Sequence, residues 1–301
     1  MSLKRIFNTG ESATFRIAQQ VADALEVEVH AKLRVADAIS IDRSGISNEE
    51  YSYALKAHFD VLVVRDNLPV LAIEFDGSGH DPKNDHLKNR LCDRFELPLV
   101  RVGMVHINSK NFEDSAVHFL IYQLFCVDAF MEQFGDDPYE TYDPTFFVSM
   151  VGKSRPFPFH YAARWRSRLI RPFKQSAHLF GENERGKYER GLIQFGASEG
   201  AWVRGNEIRA ICGQRVREGK SLVGTASLSF QVFGMGNDRR ENFLQLHPFV
   251  MGLAGGEMYE NALAFLEGDQ RGVLTTEDVQ AIVAGWIAEG FQLRLALNLP
   301  D

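Results

Sequence analysis

Apolar residues recur at three- and four-residue spacing over residues 12–25, where Phe15, Ala18, Val21, Ala22 and Leu25 fall on one stripe; that period predicts an amphipathic helix. The next run, VEVHAKLRVADAIS, is short and rich in β-branched residues, which predicts a strand over residues 27–35 and a brief helical turn after it. Residues 44–52 are polar and read as loop. Two strand-like runs follow, HFDVLVV at 58–64 and PVLAIEFDG at 69–77, separated by the turn-forming RDNL; they predict an antiparallel hairpin. Beyond the glycine-containing DGSGH, Asp81 as N-cap and Pro82 at the first helical position predict a helix ending near Phe95. PLVRV at 98–102 reads as another strand, and residues 111–134, apolar nearly all round, as a buried helix that closes a first domain.

The pattern changes after that point. FGDDPYETYDP is acidic and contains glycine and proline, so residues 135–152 read as a linker between a domain at 1–134 and a second one at 153–301. The second begins basic and aromatic and continues with mixed β-like and helical runs such as SLVGTASLSFQVF at 221–233. A chain of 301 residues with 45% hydrophobic content can bury two cores. The expected fold class is therefore α/β: a mixed central sheet flanked by helices, with a second α+β domain. No run of about 18 apolar residues is present to span a membrane, and Lys4 and Arg5 lead into Asn8, Thr9, Gly10 and Glu11 rather than an apolar signal core. A cytoplasmic protein without a membrane partner is expected. Cys92, Cys126 and Cys212 are far apart and set among apolar residues, which provides neither a disulfide framework nor a CxxC zinc site.

Candidate chemistry centres on the hairpin. If its strands pair about Asn67, opposed positions sum to 134, so that Leu62 faces Ala72 and Asp60 faces Glu74. Like charges directly opposite destabilise a strand pair unless something compensates them, and a divalent cation is one compensating partner. Side chains alternate along a strand, so Asp76 projects with Glu74. Oxygen-rich sites of this kind suit Mg²⁺ or Mn²⁺, with Asp60, Glu74 and Asp76 as the metal ligands, and point to phosphodiester hydrolysis. The other reading of the same spacing is a solvated acidic face balanced by Lys or Arg.

The combined run FDVLVV, PVLAIEFDGSGHD, LKNR and LPLVRV resembles the PD-(D/E)XK or restriction-endonuclease-like superfamily, in its very-short-patch-repair-like branch and related bacterial domains of unknown function. The resemblance covers about residues 5–126 and rests on Asp60, Glu74, Asp76, Gly77, His80, Asp85, Arg90, Val100 and Arg101, with Glu11 matching the acid of an opening helix. It implies a restriction-endonuclease-like fold and a Mg²⁺- or Mn²⁺-dependent endonuclease acting on DNA in repair, recombination or defence. Asp60, Glu74, Asp76 and His80 are then the catalytic residues. Glu11, Asp85, Lys88 and Arg90 are candidates for contacting phosphate or supporting the acids. The superfamily places a lysine two positions after the second acid, and Asp76 stands there. The group that activates water is accordingly open between His80 and a lysine reaching in from Lys56, Lys83 or Lys88. Ion pairing within the domain is the alternative role for Asp85 and Arg90.

Residues 153–190 carry ten basic side chains against three acidic ones in a protein of formal net charge −7. Arg164, Trp165, Arg166, Arg168, Arg171 and Lys174 interleave charge with aromatic rings, the composition of a nucleic-acid contact, or of helices with aromatic residues in a core and arginines in solvent. VGKS at 151–154 lacks the earlier glycine of a phosphate loop and FGMGND departs from the dinucleotide fingerprint, so no nucleotide cofactor is expected. The expectation is a Mg²⁺-dependent DNA nuclease. The alternative is a catalytically inactive nuclease-fold module that binds nucleic acid or a protein partner.

Overall fold

The computed structural model describes residues 6–77, 81–107, 115–135, 137, 140, 142, 175, 179, 198–216 and 220–297. The described residues form two sheets flanked by helices, and the chain divides into two compact units: Met1–Pro156 with Phe230–Leu244, and Phe157–Ser229 with Gln245–Asp301. The architecture is mixed α/β.

The first unit opens with helix α1 (Thr9–Leu25), whose buried Gly10, Thr14, Ile17, Ala18, Val21 and Ala22 trace one stripe. Asn8 caps it reciprocally with Glu11, each side chain accepting the other residue's backbone N–H, which sets the helix start three residues ahead of the expected one. Strand β1 (Glu28–Ala31) and the short helices α2 (Val35–Ala38) and α3 (Asn48–Ala54) follow. α3 begins within the stretch expected to be loop and takes up its last five residues, 48–52. Its start is a second capping box, Ser47 with Glu50.

Strands β2 (Val61–Arg65) and β3 (Leu68–Phe75) form the expected hairpin. Asp66 and Asn67 make the turn with φ of 54° and 63°, the left-handed pair that a tight two-residue hairpin requires. Leu62 pairs with Ala72 and Val61 with Ile73, the expected register, although at the turn Arg65 pairs with Leu68. An irregularity between Val63 and Val64 absorbs the one-residue difference, so the alternation at the far end of the hairpin is that of a turn centred on Asn67.

Helix α4 (Pro82–Arg94) starts at Asp81, which accepts from the Lys83 N–H, and crosses back to strand β4 (Leu99–Val102), parallel to β3. A parallel pair needs such a crossover. Helices α5 (Met104–Ile107) and α6 (Ala116–Phe134) follow. Strand β5 (Ser198–Arg204), β6 (Glu207–Arg215) and β7 (Lys220–Ser229) belong to the second sheet, whereas β8 (Gln231–Phe233) returns to pair antiparallel with β4. The first sheet thus runs β1-β2-β3-β4-β8. The helix α7 (Asn237–Phe243) after β8 packs on α6. Composition alone assigned residues 230–244 to the C-terminal domain; pairing places them in the first unit, because β8 covers an edge of β4 that would otherwise leave backbone groups unpaired. The central strands are buried on both faces. α1 and α6 pack together, and α1 meets β1, β2 and β3. A separate core joins Leu62, Ala72 and Leu99 of the sheet to Val35, Ala54, Leu91 and Cys92 from α2, α3 and α4.

The second unit is an antiparallel sheet ordered β10-β5-β6-β7-β9, with β9 at Val273–Thr275 and β10 at Gln292–Leu297. Helix α8 (His247–Leu266) lies close against it at Gly224, where a Cβ would fall 2.2 Å from the Ala254 carbonyl oxygen. Helix α9 (Thr276–Ala288) contributes Val279, Ile282, Val283 and Trp286 to a core with Trp202, Ile211 and Val223. No described helix is long and apolar enough to cross a membrane.

Candidate functional site

The register at the far end of the β2–β3 hairpin brings Asp60 beside Glu74. Asp60 donates its backbone N–H to Glu74 Oε1 at 3.1 Å, and its own Oδ2 accepts the Phe75 N–H at 2.9 Å. Both residues are buried, Asp60 to 7% and Glu74 to 4% exposure. Two carboxylates this close and this dry need cations, and each has one. Lys88, on the buried stripe of α4 with Leu87, Leu91 and Cys92, donates to Glu74 Oε2 at 2.6 Å and to the His58 carbonyl at 2.9 Å. Lys32, the residue after β1, reaches Asp60 Oδ1 at 2.5 Å and Glu11 Oε1 at 3.1 Å. The result is a chain of charges, Glu11, Lys32, Asp60, Glu74 and Lys88, across one end of the sheet. Burial pushes the Glu74 carboxyl up to about 7, with Lys88 opposing the shift and Asp60 adding to it.

Gly10 lets α1 approach this end of the sheet. A Cβ there would fall 2.1 Å from the Phe75 ring, so the absence of a side chain allows the first turn of α1, and with it Glu11, to sit over the end of β3.

The remaining expected site residues are distributed differently. Asp76 pairs with Arg101 at 2.9 Å, and Asp85 pairs with the same guanidinium at 3.0 Å. Arg101 also donates to Asn89 from Nε and from a terminal nitrogen, at 3.1 and 3.0 Å. Its guanidinium is buried on β4 and neutralises the two acids, so the three carboxylates expected to converge become two, Asp60 and Glu74, with Asp76 drawn into a second network that ties α4 to the sheet. Among the described residues no group of three or more His, Cys, Asp and Glu side chains is placed to hold a metal ion. Arg90 pairs with Glu50 of α3, the intradomain ion pair that was one of its two expected roles. Lys83 pairs at the surface with Glu49. His80 lies outside the described residues, as do Arg164, Trp165, Arg166, Arg168, Arg171 and Lys174.

Sequence reasoning gave no role to Lys32 or to Arg101. For Arg101 a signal existed: a cation between Val100 and Val102 in a strand buried at all four positions needs acidic partners within reach. For Lys32 none did, since its placement depends on the pairing of β1 with β2.

A family model described as a protein of unknown function (DUF2726) matches residues 3–115, a stretch that contains Glu11, Lys32, Asp60, Glu74 and Lys88. Searches of curated proteins and of solved structures return no significant match. The described part of the matched stretch runs from α1 to α5, includes the antiparallel strands β1, β2 and β3, the α4 crossover and the parallel strand β4, and holds the whole charge chain.

Proposed function

We propose that the first unit is a restriction-endonuclease-like nuclease domain that hydrolyses DNA phosphodiester bonds with a divalent cation. The observation that carries this reading is the side-by-side burial of Asp60 and Glu74 at the end of the sheet, joined by the Asp60 N–H. The strand pairing also supports it: after α1, strands β1, β2 and β3 pair antiparallel, with α2 and α3 between β1 and β2, and α4 crosses over to β4 parallel to β3, a mixed sheet of the kind the PD-(D/E)XK resemblance implies.

The donor set fits Mg²⁺ or Mn²⁺. Both residues offer hard oxygens, Mg²⁺ takes one or two carboxylates and completes its shell with water and phosphate oxygens, and Asp60 Oδ1 already accepts a cationic group from Lys32. Asp60 and Glu74 would hold the ion, which when bound supplies a Lewis acid for the phosphoryl oxygen and lowers the pKa of water. Lys88 provides, from α4, the ammonium that position 76 lacks. It fixes the Glu74 carboxylate and favours its ionised form. Asp76 acts through Arg101 on the placement of α4, and so of Lys88. His80 or Lys88 manages the proton. The basic, aromatic composition of residues 153–190 supports a DNA partner.

A second reading, a nuclease-fold module that binds nucleic acid or protein without cutting, is favoured by one observation: lysines already neutralise both acids. Incubating the chain with plasmid and single-stranded DNA in Mg²⁺, Mn²⁺ or EDTA separates the two. Metal-dependent cutting that disappears in Asp60→Ala and Glu74→Ala is expected, and cutting that survives both substitutions overturns the assignment. DNA binding that weakens steeply with salt, without cutting, selects the second reading.

A further inference from the structure

Lys32 occupies an unusual backbone position. Its φ is 53°, in the left-handed region that non-glycine residues enter at a cost and keep only where surrounding contacts hold them there. The contacts are at both ends of the residue. The Lys32 N–H donates to the Asp60 carbonyl at 3.2 Å, while Nζ lies 2.5 Å from Asp60 Oδ1 and 3.1 Å from Glu11 Oε1. One residue therefore grips the backbone and the carboxylate of Asp60 together. Its ammonium takes the Oδ1 atom, which a metal on this carboxylate would also seek; Oδ2 is engaged by the Phe75 N–H.

Its surroundings differ from those of Lys88. The Lys88 side chain is 9% exposed and is fixed by Glu74 and the His58 carbonyl, whereas that of Lys32 is 27% exposed and shares its charge with Glu11, which is 15% exposed. Lys32 can leave Asp60 along its flexible stem and still keep Glu11 or water as a partner. Lys88 has no comparable exit.

We propose that Lys32 is a tethered counter-ion that competes with the divalent cation for Asp60 and thereby sets the metal affinity of the site. This rests on the assignment of Asp60 and Glu74 as the residues that would hold the metal. With no metal bound, the ammonium keeps Asp60 neutralised inside the fold. Binding of the metal repels the ammonium and hands it to Glu11 and solvent. Metal uptake is thus coupled to the movement of one side chain, and Glu11 is its receiving partner rather than a ligand.

Mn²⁺ titration of the full chain, followed by calorimetry or by the electron paramagnetic resonance of free Mn²⁺, tests this without reference to DNA cutting. Lys32→Met is expected to bind Mn²⁺ at least about tenfold more tightly than the wild type, because the uncompensated Asp60 carboxylate gains a cation it otherwise lacks. Lys32→Arg, which keeps the charge, is expected to bind no more tightly than the wild type. In the unsubstituted protein, reductive methylation at Lys32, read by peptide mass spectrometry, is expected to accelerate when Mn²⁺ is present; this arm is independent of how well a variant folds. Wild-type binding that depends on Asp60, with unchanged or weaker binding in Lys32→Met and an unchanged rate at Lys32, overturns the competition and leaves the metal assignment standing. Absence of Asp60-dependent Mn²⁺ binding in both the wild type and Lys32→Met overturns the assignment and the competition together.

Discussion

Lys88 and Glu74 form an ion pair of 2.6 Å between helix α4 and strand β3, with side-chain exposures of 9% and 5%. Each charge has left water, and each is tolerated only because the other is present. Removing one partner of such a pair leaves a buried charge uncompensated, a loss of roughly 3 kcal/mol or more, whereas replacing both by neutral groups of similar volume is often close to neutral.

Lys88→Met is therefore expected to destabilise the first unit by about 3 kcal/mol in urea denaturation. Glu74→Gln in the same chain should recover most of that loss. A double variant no more stable than Lys88→Met alone would show that the two side chains are not coupled.

Asp76 and Asp60 are expected to separate when metal binding and stability are measured on the same variants. Asp76 is drawn to Arg101, whose buried guanidinium also holds Asp85 and Asn89. Asp76→Asn should lower stability by about 1 kcal/mol and leave Mn²⁺ affinity within about twofold, since a charged hydrogen bond to a partner with other acceptors is lost. Asp60→Asn should weaken Mn²⁺ binding by at least about tenfold, since it removes one of two carboxylate ligands. Equal losses of affinity in the two variants would place Asp76 back among the ligands.

The parts of the fold legible in the sequence are those fixed by local pattern. The stripe of α1, the Asp81–Pro82 start of α4 and the β2–β3 register follow from periods and caps that a few neighbouring residues determine. The pairing of Asp60 with Glu74 was accessible for that reason, because a hairpin register is a local property. Helix α3 was missed although Ser47 and Glu50 spell a capping box, since its seven residues carry too little apolar period to stand out from a polar loop. Lys32 and the return of β8 to β4 were not legible: both depend on pairings between strands distant in the chain. The extra acid Asp76 was legible as a position on a face but not as a partner of Arg101, which the parallel pairing of β3 with β4 brings alongside.

Acid should weaken the tie between α3 and α4. The Arg90 guanidinium beside Glu50, together with the Ser47 backbone and hydroxyl, lowers the Glu50 carboxyl from an ordinary value of 4.5 to about 2. A carboxyl held low in the folded state contributes its stability above the unfolded value, and that contribution is lost as pH falls from 4.5 toward 2. Melting temperatures measured across this window should fall less steeply for Glu50→Gln than for the wild type, from a lower starting point at neutral pH. Parallel profiles would mean that Glu50 carries none of the acid sensitivity.

Glu199 predicts the opposite slope in the second unit. It sits on β5 opposite Cys212 of β6, 8% exposed, and burial pushes its carboxyl up to about 7 and raises the Cys212 thiol as well. Below the ordinary value of 4.5 the group is protonated in both the folded and unfolded chains and costs nothing. Between 4.5 and 7 the unfolded chain ionises while the folded one keeps its proton, so stability drains away as pH rises and the loss is complete above 7. The wild-type unit should lose roughly 3 kcal/mol between about pH 4 and pH 8 from this group alone, and Glu199→Gln, which keeps the shape without the titrating proton, should not. The two proteins are expected to melt together near pH 4 and to diverge toward pH 8, the variant being the more stable. A difference of the same size at both pH values would trace to packing rather than to the ionisation of Glu199.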